Sequence, residues 1–180
     1  MSPEEALNLF DYDRWATTRQ VDVISKLKEE EYVKDLGSSH GCLRGTLVHI
    51  YAAQSIWYRR WTGESPSALV TPSDIPTLTA LQDRWTVLRR DILQFVVALR
   101  AEKLREALSY EDTKGNRYSQ PLSQLIRHVI NHSTYHRGQI TTMLRQLSVS
   151  PAASVDLITY YREVDENLER TKRMIEDGES

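Results

Sequence analysis

Five histidines stand in the sequence, at His40, His49, His128, His132 and His136. The last three are spaced i, i+4, i+8 in the run Leu125-Ile-Arg-His-Val-Ile-Asn-His-Ser-Thr-Tyr-His-Arg-Gly-Gln139. On a helix, positions i and i+4 share a face about 6 Å apart along the axis, so two imidazoles can converge on one metal ion. The outer pair is about 12 Å apart, so at most two of the three are expected to be ligands. His132 and His136 interrupt an otherwise apolar row between Val129 and Ile140, whereas His128 lies at its edge. An imidazole in a core must satisfy two ring nitrogens, and a metal is one way to satisfy one of them. Hydrogen-bonded structural histidines are the alternative.

A mononuclear catalytic site needs three protein ligands and an open position. His49 is the third candidate, set among Leu47, Val48, Ile50, Ala52 and Ala53. His40 lies in the loop Gly37-Ser38-Ser39-His40-Gly41 and is expected to be exposed. Three neutral imidazoles would leave a divalent ion its full charge, able to lower the pKa of a water or a thiol. Nickel, zinc or iron suits such ligands.

The elements that must position these groups read as helices. Ser2-Pro3-Glu4-Glu5 has the form of a capping box with proline at the first helical position. A first helix follows on Leu7, Phe10, Arg14, Thr17, Val21, Ile24 and Leu27, fading into the charged run Lys28–Glu31. A second spans Leu43 to Trp61 and is apolar on more than one face, as befits a helix with several neighbours. Gly63, Pro66, Pro72 and Pro76 mark an irregular connection. A third helix carries Leu78, Leu81, Trp85, Leu88, Ile92, Phe95 and Leu99 at alternating spacings of three and four. Residues 107–120 read as a short hairpin around Lys114-Gly115-Asn116. The fourth helix follows Pro121, with Leu122, Leu125, Val129, His132, His136, Ile140, Met143 and Leu147 facing inward. A last helix starts near Asp156, with Leu157, Tyr160, Tyr161, Val164 and Leu168 on its apolar side, and the tail from Glu176 is expected to fray. The sum is an all-α, four-helix bundle with a hairpin insertion and a C-terminal helix, in one domain over residues 1–180.

Composition narrows the function. The 180 residues carry 23 basic and 25 acidic side chains, a net charge of −2, which argues against a phosphate-backbone binder. No nucleic-acid partner is therefore expected. No apolar stretch approaches the length of a membrane span, and the acidic start at Met1–Glu5 is unlike a signal peptide, so no membrane association and a cytoplasmic location are expected. The single cysteine, Cys42, excludes an intrachain disulfide and sits just before the second helix, where it reads as a packing residue. Arg59-Arg60 and Arg89-Arg90 read as solvated helix faces, with the carboxylates of an anionic thiol as the alternative partner. Trp15, Trp57, Trp61 and Trp85 read as core or dimer contacts.

The chain resembles the DinB/YfiT-like family of metalloenzymes. The motif HxxxHRGQ stands here as His132-Ser133-Thr134-Tyr135-His136-Arg137-Gly138-Gln139. Asp11-Tyr12-Asp13-Arg14-Trp15-Ala16 is similar to the family's first-helix segment. Gly45-Thr46-Leu47-Val48-His49, followed by Trp57-Tyr58-Arg59-Arg60-Trp61-Thr62-Gly63-Glu64, is similar to its second-helix signature. The likeness runs from residue 11 to about 145. It implies a metal held by His49, His132 and His136, an up-down-down-up bundle with a long crossover after the second helix, and often a homodimer. It also implies a small-molecule substrate: some members are S-transferases using low-molecular-weight thiols, and related proteins are thiol-dependent isomerases or amidases. Arg137 and Gln139 then anchor the helix or orient a ligand. Members often carry an acid five positions after the first histidine; here that position is Gln54. A non-catalytic, metal-stabilised stress-response bundle is the alternative to an enzyme.

Overall fold

Ser2 opens the chain with the capping box its sequence predicts. Its hydroxyl accepts from the Glu5 N–H at 3.1 Å, and the Glu5 carboxylate accepts from the Ser2 N–H at 2.6 Å. The computed structural model describes residues 1–150 and 154–164. Its elements are α1 (Pro3–Ile24), α2 (Glu29–Val33), α3 (Leu43–Trp61), α4 (Leu78–Val97), α5 (Ala101–Arg105), β1 (Ala107–Glu111), β2 (Arg117–Pro121) and α6 (Leu122–Gln146), then α7 at residues 157–164.

Side-chain pairings fix the directions of the four long helices. Tyr51 meets Trp85 and Trp61 meets Phe95, so α3 and α4 run parallel. Trp57 meets His128 while His49 meets His136, so α3 and α6 are antiparallel. Asp13 pairs with Arg137 and Gln20 with Thr141, so α1 and α6 are parallel. This is the expected up-down-down-up bundle, and residues 62–77 form the crossover that lets α4 start beside the start of α3. Its main apolar core includes Leu47, Ile50, Leu81, Trp85, Ile126 and Ile140, and a smaller cluster gathers Tyr12, Ala16, Ile130 and Tyr160.

The hairpin pairs antiparallel with Tyr110 opposite Tyr118. Its turn is held by Asp112, whose carboxylate accepts from the Asn116 N–H at 2.9 Å, with Gly115 at φ 83°. α2 and α5, five residues each, were not expected; they are too short to display a periodicity. On α1 the buried face is Ala6, Tyr12, Asp13, Ala16, Thr17, Gln20, Val21 and Ile24, while Arg14 of the expected stripe is exposed. On α7, Tyr160 is buried against Tyr12 and Trp15, but Tyr161 and Val164 are exposed; Leu168 and the tail lie outside the described residues. Among the described residues no helix is long and apolar enough to cross a membrane.

Candidate metal centre

α6 carries His132 and His136 on the side that faces α3, and α3 presents His49 to them. The His49 and His132 Nε2 atoms are 3.0 Å apart. The His136 ring lies 4.6 Å from that of His49 and 4.4 Å from that of His132. All three residues singled out from the sequence therefore come together across one helix interface. His128 is exposed; its ring packs edge-on against Trp57 at 5.2 Å and stands 6.0 Å from His132.

His40 departs from expectation. It is half-buried, and its ring stacks on His49 at 3.7 Å, 21° from parallel. The loop lies this close because residue 45 is glycine: a Cβ there would come 2.1 Å from the His40 carbonyl oxygen. The ligand nitrogens of His40, His49 and His136 all lie within 4.8 Å of one another. Three of these histidines could hold a metal ion, and the convergent group contains no carboxylate.

The donor set fits a divalent ion. With metal–nitrogen bonds of about 2.0–2.1 Å, adjacent donors stand about 2.9–3.4 Å apart, and the His49–His132 separation of 3.0 Å falls in that range. His136 Nδ1 lies 2.9 Å from Gln139 Oε1. The amide oxygen accepts only, so Nδ1 carries the proton and Nε2 keeps its lone pair. His132 Nδ1 is buried without a partner. Burial, helped by the neighbouring imidazoles, pushes the pKa of His49 down to about 3 and that of His132 down to about 4. Both rings are thus neutral at pH 7, the form in which imidazole binds metal.

One residue further along α6, a different set of polar groups is buried. Arg137, 1% exposed, donates to Asp13 and, at 2.8 Å, to the Thr134 hydroxyl. The other Asp13 oxygen accepts from Gln54 Nε2 at 2.7 Å. Gln54 also donates to Ser133 Oγ at 3.1 Å and accepts from Trp85 Nε1 at 2.7 Å. An amide at position 54 thus works beside Asp13, where a second carboxylate would repel it. Asp13 was not singled out from the sequence. The signal was there in Asp13, Thr17 and Gln20, polar residues at helical spacing on one face of α1, all buried.

Cys42 caps α3, its sulfur accepting from the Gly45 N–H at 3.4 Å. Arg59 and Arg90 hold Glu64 and Asp91 at the surface. Arg60 and Arg89 are not solvated: Arg60 is buried over the Trp57 ring, and Arg89 is half-buried over Trp85. Trp61 and Trp85 are core residues. A cavity of about 560 Å³ opens between α1 and α4, lined by Phe10, Asp13, Gln54, Arg89 and Leu93 among others, and none of the histidines lines it.

The DinB family matches residues 1–169. The Protein DinB of Bacillus subtilis (strain 168) is 26% identical over 154 residues, covering 82% of this chain and 88% of the relative. The Uncharacterized protein YizA of the same organism is 25% identical over 150 residues, covering 82% and 91%.

Proposed function

This chain belongs to the DinB family, and from that premise we propose that it is a divalent-metal-dependent enzyme acting on a small thiol or thiol conjugate. His49, His132 and His136 are the assigned ligands, with nickel, zinc or iron as the ion. The observation that carries the reading is the convergence of neutral imidazoles with no carboxylate among them. When bound there, the ion supplies uncompensated positive charge that lets a thiol or water lose its proton near neutral pH. The chain's own groups do the rest. Gln139 fixes the tautomer of His136, and the Asp13–Arg137 pair fixes where α6 lies against α1. S-transfer is the favoured reaction, hydrolysis the second. A cytoplasmic homodimer completes the proposal; light scattering should then report about twice 20.8 kDa.

The test begins with elemental analysis of protein purified without an affinity tag. One ion per chain is expected, lost in His49→Ala, His132→Ala and His136→Ala and kept in His128→Ala. Transfer to an electrophile is then assayed with glutathione, bacillithiol and mycothiol. Equal rates from metal-loaded, metal-free and His132→Ala protein across that panel would sink the reaction class, leaving a bundle whose metal is structural.

A further inference from the structure

His40 is the one histidine of the cluster borne on a loop rather than a helix. The loop is tightly made. The Leu36 N–H donates to the Gly41 carbonyl and the Gly41 N–H to the Ser38 carbonyl, both at 2.8 Å. Gly37 and Gly41 take φ values of 70° and 73°, where a side chain would be strained. Two ties then aim the loop at the cluster. Gly45 lets the His40 carbonyl press onto the first turn of α3. Gln139, whose oxygen holds His136, donates from its nitrogen to the Ser39 hydroxyl at 3.2 Å. The same amide therefore positions a ring on α6 and the loop beside it.

His49 and His136 belong both to the trio that the sequence motif selects and to the trio that includes His40. From this shared geometry we infer that His40 is an exchangeable fourth nitrogen ligand of the ion, filling its coordination sphere at rest and yielding its place to an incoming donor. The inference rests on the metal reading above. A permanent fourth ligand would make the centre purely structural. His40 is suited to exchange instead, because its ring is half-exposed and its backbone is held by turn hydrogen bonds outside the bundle core.

Cobalt(II), whose visible absorption reports coordination number and ligand type, provides the test. His40→Gly should bind cobalt about tenfold more weakly than the parent and with a changed spectrum, and millimolar imidazole should restore the parent spectrum. His40→Gln, which retains a side chain in the loop, should show the same spectral change, guarding against a loop effect of glycine. Mercaptoethanol should bring parent and His40→Gly to one common spectrum, with the variant saturating at lower thiol. Parent-like affinity and spectra in both variants would overturn the inference while leaving the metal site standing. Failure of the parent protein to bind cobalt would remove the metal reading and this inference together. His136→Ala, which should lose the ion outright, marks that limit.

Discussion

His132 and Ser133, like His136 and Arg137, are neighbours on α6, yet they serve two regions built on opposite terms. On one side Asp13 answers Arg137, and Gln54 uses both ends of its amide. On the other, imidazoles face imidazoles and His132 Nδ1 has no partner at all. The first region pairs its buried carboxylate with a buried guanidinium and so balances its charge internally. The second concentrates imidazole nitrogens with no carboxylate to balance a charge. Buried polarity thus divides into a part that locks the helices and a part that could hold an ion.

The sharpest way to break that contrast is to unpair the locked side. Asp13→Ala should strand the Arg137 guanidinium and cost about 3–5 kcal/mol in urea unfolding. His49→Ala should cost far less, and a reversal of that order would dissolve the distinction. Next comes Gly45→Ala, which drives a methyl group into the His40 carbonyl. A loss of about 1–3 kcal/mol is expected, together with a changed environment for the His40 ring in an imidazole-resolved NMR spectrum. Gln139→Ala should weaken metal binding about 10–100-fold with little change in urea midpoint, because the side chain is half-exposed and its hydrogen bonds go to His136 and Ser39. The smallest effect concerns pH in the metal-free protein. His49 and His132 titrate in the folded state near 3 and 4, below the ordinary value of 6.5. Below about pH 6.5 the unfolded chain takes up protons that these folded rings refuse, so stability should fall progressively as pH drops from about 6.5 towards 3. Both rings are half-exposed, which keeps the decline shallow, and His49→Gln should flatten it further.

Much of this was legible before the structure. An apolar run between a Gly/Ser loop and a Gly/Pro connection located α3 from about Leu43 to Trp61, and a proline located the start of α6. The histidine pair on α6 was visible because its spacing is local. The partners that a fold brings in from far along the chain were harder to see. His40 is placed by a loop whose approach depends on a missing Cβ at Gly45, a steric fact with no periodicity. Asp13 by itself carried no local sign of burial, because the partner that answers its charge, Arg137, lies 124 residues later in the chain. Arg60 misled in the same way, its charge lying over the rings of Trp57 and Tyr110.

The parallel course of α1 and α6, with α3 returning between them in sequence, has a consequence for the life of the molecule in the cell. His49 and His132 are 83 residues apart in the chain, so no fragment of the unfolded protein holds the cluster. Contacts of such long range form slowly, although the entropy of closing the loop rises by only about 0.6 kcal/mol for each doubling of its length. An ion held by the assembled cluster would bind the folded chain more tightly than the unfolded one, and at a hundredfold excess over its dissociation constant it would add at most about 2.7 kcal/mol to stability. Proteases act on the unfolded population, so the steady-state amount of this protein would then rise and fall with the supply of that ion.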